Sequence, residues 1–505
     1  MDNNGYAVDF YGHTLPPRPV YEFNGPPVRY IHRRSSYSDS SLRSDGRRYT
    51  VENPPDGGYW AWIVVLACAV LHICSELTFF VFYDTLVIAH VRNPLLKGLP
   101  KDTYTEWMVF EDVRFTGEIV AAFFSVYLGY RVVAVVGSAC VLGGFLGASF
   151  VTPSKEIELM GFLVGFLGGI GVSFWRFAAF VAIMEYFRRH RMAAIILSGF
   201  GRVIGIFIGY GILSKPLQEL LDSNTTQDDL LAMTSWPTYY QCQCAMAGVG
   251  FLASLVITPL DLATPRRGHE CAWILRIRDS RVCRGGMFFF LLCVYFLYYF
   301  GEPRPFTELV YWMLKEKFIT KHILGVFFAT ACGVLLGYIL LIFWPRRKKF
   351  YSSVLWFGLL FLLMGLITLQ LPVFDASYTS YVCAFAIILA ASQVLFESIL
   401  RYVIPIAFGR QYIRWVEGCL GLFAGCATIA NNFICNALRT KSGGSDNVFY
   451  FAGSAFLAAG CLAVIGMQGV ICLKFKDRNH EKELDETRLE KPLPPVGRYL
   501  TYELR

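Results

Sequence analysis

The chain has 505 residues, of which 55% are hydrophobic, 16% aromatic and 17% charged, and its mean hydropathy is +0.45. Soluble multidomain proteins have a lower apolar share, so this composition excludes that class and indicates a polytopic membrane protein. The net charge of +8 does not indicate binding to nucleic acid, because the basic residues flank apolar runs instead of forming a soluble basic domain. The 15 cysteines follow neither a disulfide framework nor the spacing of metal ligands, so no metal and no other cofactor are predicted.

The two ends of the chain are polar. Residues 1–53 are rich in Pro, Ser, Tyr and Arg and cannot bury enough apolar surface to fold, which predicts a disordered cytoplasmic tail without a cleaved signal peptide. Basic residues ahead of its serines leave three alternatives open: phosphorylation, contact with anionic lipid, or a plain solvated tail. Residues 474–505 mix charges of both signs and predict a second cytoplasmic tail.

Twelve apolar runs lie between the tails, and most of them are long enough to cross a bilayer at ~1.5 Å of rise per residue. They cover residues 59–89, 107–130, 132–151, 159–184, 192–213, 239–257, 286–300, 322–344, 350–371, 381–403, 413–437 and 448–473. A basic stretch at 261–284 divides them into six and six, at 54–260 and 285–473. This layout predicts an all-α carrier of the major facilitator type with two six-helix bundles. A channel or receptor with the same number of spans remains an alternative.

The charges between runs predict how the chain is oriented. Arg188, Arg189 and Arg191 stand between the fourth and fifth runs, and such clusters stay on the cytoplasmic side. The following loop is then outside, where Asn224 begins an N-x-T sequon for glycosylation. The expected location is the plasma membrane, in contact with its lipids, with both termini in the cytoplasm. Glycines at three- and four-residue spacing in the third and fourth runs predict close helix packing.

Two arginines lie inside apolar runs, Arg176 in the fourth and Arg202 in the fifth. Arginine at this depth is costly unless it is paired or faces a cavity. Its planar fork suits a carboxylate, so both residues are candidates for substrate binding. A structural salt bridge with Glu118 of the second run or with another acid remains open for both, as does snorkelling for Arg176. Glu118 is either such a partner or a protonatable site.

Two further pairs are four residues apart, which places each pair on one helix face. For His72 and Glu76 in the first run, the alternatives are a proton relay and a structural hydrogen bond between helices. Glu397 and Arg401 in the tenth run predict an internal ion pair that holds a gate, and Glu417 in the next run is expected to act similarly.

Several motifs resemble the monocarboxylate transporter family of solute carriers. The entrance of the first run matches the family's acidic, small and aromatic pattern if one aromatic is inserted: Asp56-Gly57-Gly58-Tyr59-Trp60-Ala61-Trp62. The turn between the fourth and fifth runs matches a second pattern through Tyr186-Phe187, the basic cluster, Ala194, Gly201 and Gly205. Weaker matches are Val394-Leu395-Phe396-Glu397-Ser398 and Val416-Glu417-Gly418-Cys419. The resemblance implies a secondary carrier of a small organic solute, with no enzyme activity.

The chain departs from this family where proton-coupled members carry charges. The position of their lysine late in span 1 is close to Val81 here, and residues 330–336 of the eighth run have no charge in place of their Asp and Arg. Lactate-type proton symport is therefore not implied, and an anionic or zwitterionic solute of another kind is expected. Some family members need a single-span glycoprotein partner. The alternative function is a transport-inactive sensor or scaffold.

Overall fold

The computed structural model describes residues 56–78, 105–151, 157–222, 236–260, 286–302, 320–344, 350–374, 378–408, 412–442 and 446–466, with isolated positions between 308 and 318. The two tails, the linker 261–284, Val81 and Asn224 lie outside the described residues. The predictions made for them therefore stay predictions.

Twelve helices follow the predicted runs in order within the described part of the chain. The first half contains α1 (Tyr59–Glu76), α2 (Thr105–Leu128), α3 (Tyr130–Ala148), α4, α5 (Arg191–Asp222) and α6 (Trp236–Val256). The second half contains α7 (Gly286–Tyr299), α8 (Thr320–Ile342), α9 (Phe350–Gln370), α10 (Thr379–Ala407), α11 (Ile413–Ser442) and α12 (Asp446–Gly466). These segments form helices because backbone N–H and C=O groups inside a bilayer have no water to bind, and a helix lets them form hydrogen bonds with each other.

Helix α4 is built from three consecutive segments. Ile157–Met160 is α-helical, Gly161–Gly168 has π-type hydrogen bonds, and Gly169–Tyr186 is again α-helical. The glycines of α3 and α4 pack closely, as predicted: a Cβ at Gly137 would lie 2.9 Å from the Gly171 carbonyl oxygen. One at Gly144 would overlap the carbonyl of Leu163.

The entrance of α1 is tied to the turn between α4 and α5, residues 187–190, which we call the hinge. Asp56 Oδ1 accepts hydrogen bonds from the backbone N–H groups of Arg188 and Arg189, each at 2.7 Å. The Asp56 N–H donates to the Tyr186 carbonyl at 3.0 Å. Two motifs that are separate in the sequence are therefore one structural unit. The end of the bundle that carries it is called the hinge end.

The Asp56-Gly57-Gly58 turn has a backbone reason for its composition. All three residues have positive φ, of 44°, 135° and 86°. Glycine adopts such angles without steric cost, and aspartate is among the residues that tolerate the left-handed region. This turn lets the Asp56 carboxylate reach the hinge, while Trp62 packs against Phe187 with ring centroids 5.0 Å apart. Of the hinge cluster, Arg188, Arg189 and His190 are exposed and Arg191 is buried.

The two halves contact each other through α2 with α11 and through α5 with α8. Three glycines of α11, at positions 418, 421 and 425, form a row that faces α2. A Cβ at Gly421 would lie 2.6 Å from Glu118 Oε2, and one at Gly418 would lie 2.6 Å from Ala122 Cβ. Helices α2 and α11 lie this close because no side chain separates them at these positions.

Candidate functional site

Arg202 of α5 binds two carboxylates, one from each half. Its Nε donates to Glu76 Oε1 of α1, and its Nη1 donates to Glu397 Oε2 of α10, both at 2.8 Å. We call Glu76, Arg202 and Glu397 the ion triad. Its side chains are 6% to 12% exposed, and removing one member of a buried pair costs about 3–5 kcal/mol. Arg202 therefore has a strongly held structural role whatever else it binds.

Two glycines bring Arg202 to Glu76. A Cβ at Gly201 would overlap the Ala69 carbonyl, and one at Gly205 would lie 2.9 Å from the Ile73 carbonyl oxygen, so α5 lies directly against α1. Arg202 is the twelfth residue of α5, about 17 Å from its start. That distance is near the middle of a bilayer core ~30 Å thick.

A pocket lies beside the ion triad, at the interface between the halves. Its polar lining consists of His72, Ser198, Gly199, Arg202, Tyr338, Glu397, Ser398 and Arg401. Its apolar lining consists of Phe180, Ile183, Met184 and Ile195. Helices α1, α4 and α5 of the first half and α8 and α10 of the second half all contribute. Two guanidinium groups and one carboxylate line the pocket, while the two other carboxylates that face these arginines, Glu76 and Glu417, lie outside its lining.

Arg401 is held more loosely than Arg202. Its guanidinium lies over the Phe180 ring, 5.2 Å from the centroid, and its Nε is 3.7 Å from Glu417 Oε1 of α11. That separation is too long for a hydrogen bond. Within the described residues, Arg401 donates no hydrogen bond to another side chain or carbonyl.

Arg176 and Glu118 lie next to the pocket, outside its lining. Arg176 is buried, with its guanidinium 5.4 Å from the centroid of the Phe115 ring of α2. Glu118 is buried against Gly421 of α11. Of the two arginines that the sequence singles out, the structure places only Arg202 in the pocket.

A second polar layer lies farther from the hinge end. Gln393 Nε2 donates a short hydrogen bond to Glu302 Oε1, and Asn432 Nδ2 donates to Asp112 Oδ1 at 2.8 Å. The Pro-flanked sequence around Glu302 is typical of a loop residue, yet Glu302 is buried against α10. The polar face of α10 therefore extends from Arg401 through Glu397 to Gln393, one turn apart each.

Contacts between the halves lie on both sides of the pocket. At the hinge end, Arg414 of α11 donates from Nη2 to Glu185 Oε1 of α4 at 2.6 Å. Its Nη1 donates to the Ser125 carbonyl at 2.9 Å. Toward the other end, Tyr210 of α5 stacks on Phe327 of α8 with ring centroids 4.8 Å apart.

Both pairs that sequence spacing favours have other partners in the structure. Glu397 binds Arg202 of the other half instead of Arg401, and Arg401 faces Glu417. The predicted pairing of Glu397 with Arg401 is therefore not formed, because Arg202 of the other half approaches Glu397 at hydrogen-bond distance. Glu397, Arg401 and Glu417 are all in ion pairs, and a gating role for them stays a prediction. Glu76 accepts a hydrogen bond from Arg202 of α5, which is a structural bond between helices, one of the two alternatives given for His72 and Glu76. His72 lines the pocket with no hydrogen bond to Glu76 among the described residues.

Sequence reasoning missed several residues of the site. Ser198 and Tyr338 are ordinary polar residues in apolar helices that no motif or spacing marks, and Ser398 is marked only as the last residue of the Val394–Ser398 motif. Glu185 had a signal: an acid immediately before a basic cluster at a helix end is a natural ion-pair partner for a cation from another helix. No group of three or more metal-ligating side chains occurs within the described ranges.

The fold is that of a major facilitator transporter. A crystal structure of the transporter FucP in an outward conformation covers 80% of this chain and 99% of its own, with a TM-score of 0.57 and 14% identity. The human organic anion transporter MFSD10 (TETRAN) gives a TM-score of 0.56 with 15% identity and covers 80% of this chain and 99% of its own. The predicted fold class, with twelve helices in two six-helix bundles, is confirmed.

In sequence, the chain is similar to several monocarboxylate transporters. It is 26% identical over 449 residues to rat monocarboxylate transporter 10, covering 84% of this chain and 81% of that protein. It is 25% identical over 227 residues to human monocarboxylate transporter 12, covering 43% of this chain and 39% of that protein. The match thus spans about two fifths of monocarboxylate transporter 12. No family model matches the sequence. These relatives are transporters by name, not enzymes.

Proposed function

We propose that the chain is a secondary transporter that moves a small organic anion or zwitterion across the plasma membrane by alternating access. The observation that carries this proposal is the pocket between the two halves, lined by charged side chains from both. Contacts between the halves lie on each side of it. Breaking one set at a time exposes the pocket to one face of the membrane and then to the other.

The charge of the pocket supports an anionic group on the solute. A carboxylate that enters the pocket loses its hydration and needs a cation that replaces it. Arg202 and Arg401 line the pocket with a single carboxylate, Glu397. The uncharged α8 segment at 330–336 leaves these arginines in α5 and α10 as the cations of the site. Relatives named as monocarboxylate transporters and a structural neighbour named as an organic anion transporter agree with this solute class.

The hinge end is proposed to face the cytoplasm, with both termini on that side. Exposed Arg188 and Arg189 support this orientation, because basic residues are retained on the side from which the chain is inserted. An epitope inserted in the loop around Asn224 is then detected on intact cells. Detection only after permeabilisation would reverse the orientation. Surface biotinylation of cells that express the chain alone tests the need for a single-span glycoprotein partner, which the family resemblance suggests.

The transport proposal is tested by counterflow in proteoliposomes, which detects exchange of a labelled solute independently of the coupling ion. The panel contains short and aromatic monocarboxylates, 2-hydroxy and 2-oxo acids, and amino acids, each at two pH values. Exchange above that of empty liposomes for at least one carboxylate is expected. If none moves while one of them binds, transport is wrong and the sensor function replaces it.

A further inference from the structure

We infer that Arg401 is the residue that binds the carboxylate of the solute, with Phe180 as the platform that orients its guanidinium, while Arg202 holds the two halves together. This assignment rests on the proposed function and names the anion-binding residue of the same site. It differs from the role that the sequence predicts for Arg401, an internal ion pair with Glu397.

The first step is the difference in how the two pocket arginines are paired. Arg202 donates to Glu76 and Glu397 at 2.8 Å each, so its charge is already shared by two acids, and a solute carboxylate can take the bonded Nε–H or Nη1–H only by displacing one of them. Such displacement costs about as much as a millimolar ligand gains on binding. Among the described residues, Arg401 has one ion-pair partner, Glu417 at 3.7 Å, and donates no hydrogen bond; Glu397 and Glu118 act on its charge from farther away. Its donors are available without breaking a bond.

The second step is geometry. The Arg401 guanidinium lies 5.2 Å from the centroid of the Phe180 ring and lines the pocket. A guanidinium is planar, and when one of its faces lies over an aromatic ring its edge, which carries the N–H groups, stays accessible. This edge binds a carboxylate through two parallel hydrogen bonds. The side chain of Arg401 is 16% exposed although the residue lies inside the bundle, because it faces the pocket.

The third step is the surroundings of that edge. Phe180, Ile183 and Met184 lie on one face of α4 and supply an apolar lining beside the cation. Ser198 and Tyr338 supply hydroxyl groups. The lining therefore combines a cation, hydroxyl groups and an apolar surface, which is the chemistry that a monocarboxylate with an apolar body requires, and the carboxylate at Arg401 is the feature that the site selects. An uncharged amide of the same shape lacks the negative charge and the second acceptor oxygen of a carboxylate, so Arg401 is expected to bind it more weakly.

The test is equilibrium binding of 3-phenylpropionate and butyrate to the full-length protein in detergent, each with its amide as the comparison ligand. In the parent protein, each acid is expected to bind about tenfold or more tightly than its amide, as charge-assisted hydrogen bonds imply. Arg401→Gln removes this preference, because the acid then binds more weakly while binding of the amide is unchanged. Arg401→Lys keeps the charge without the two-pronged fork and gives an intermediate preference. Arg131→Gln is the control.

A purely structural role for Arg401 is tested by the double variant Arg401→Gln/Glu417→Gln. If Arg401 only neutralises Glu417, the double variant recovers acid binding; under our assignment it does not. An acid preference that persists in Arg401→Gln overturns the assignment while transport by the parent protein still stands. If the parent protein binds neither acid, the assignment is wrong, and the wider counterflow panel decides separately whether the chain transports another solute.

Discussion

Removing the Arg202 guanidinium exposes how strongly the ion triad stabilises the protein. In Arg202→Met the side chain keeps its approximate length but has no donors, and the carboxylates of Glu76 and Glu397 lose their partner. Both carboxylates are in side chains that are only 6% exposed. Breaking one buried pair costs about 3–5 kcal/mol, so the loss of two pairs places this variant at the upper end, about 5 kcal/mol.

The assay is SDS-induced unfolding in detergent micelles, followed by tryptophan fluorescence, which gives the free energy of unfolding. A triple variant, in which methionine replaces all three members, is expected to lie within about 2 kcal/mol of the parent, since a buried ion cluster can often be replaced by apolar residues without loss. Arg131→Met is the matched control, because Arg131 forms no ion pair with another described residue, and no change is expected there. If Arg202→Met is as stable as the parent, or the triple variant is no more stable than the single one, the buried triad does not carry the stability assigned to it.

Three more predictions follow from contacts away from the triad. Gly201→Ala is expected to lower the free energy of unfolding by about 1–3 kcal/mol, because the added Cβ meets the backbone of α1. Gly211→Ala on the same helix places its Cβ in open space and is expected to be neutral or to stabilise the protein by up to ~1 kcal/mol. Thermal unfolding midpoints in the opposite order would contradict the close approach of α5 to α1. Asp56→Ala is expected to lower the stability by about 1–2 kcal/mol in the same measurement. Asp56→Asn is expected to lower it less, because its amide oxygen still accepts hydrogen bonds from the backbone N–H groups of the hinge. Equal losses in the two variants would argue against these hydrogen bonds as the source of the stability. A double-mutant cycle of Glu185→Gln and Arg414→Gln is expected to give a coupling energy of about 0.5–3 kcal/mol, and additive effects would remove this contact from the set that joins the halves.

The number and order of helices could be predicted from the sequence because each apolar run must satisfy its own backbone inside a bilayer. The close approach of α3 to α4 was also predictable, since glycines at three- and four-residue spacing mark a helix face without side chains. Both inferences use local patterns, and both are confirmed. The depth of Arg176 and Arg202 was predictable for the same reason.

The partners of the charges were not predictable in this way. Sequence spacing can only favour neighbours on one helix, such as Glu397 with Arg401, but the bond that forms joins residues 195 apart in the chain. The contact of Asp56 with the hinge spans 132 residues. Each motif was visible alone, and only the packing of α1 against α5 brings the two together. The pocket hydroxyl groups of Ser198, Tyr338 and Ser398 depend on the same tertiary packing.

The π-type segment Gly161–Gly168 has a consequence for how α4 can vary between related chains. Its backbone bonds close over five residues instead of four, so the angular position of everything after it depends on the number of residues it contains. Restoring ordinary α-helical geometry at the same length would turn Arg176 and Phe180 toward different neighbours, because each residue of an α-helix advances the angle more than a residue of a π-type turn. The π-type geometry of this stretch, together with its length, therefore sets the direction of the α4 residues that reach the pocket. A substitution that restores α-helical hydrogen bonds there without changing the length should disturb the pocket as much as substituting Phe180 itself.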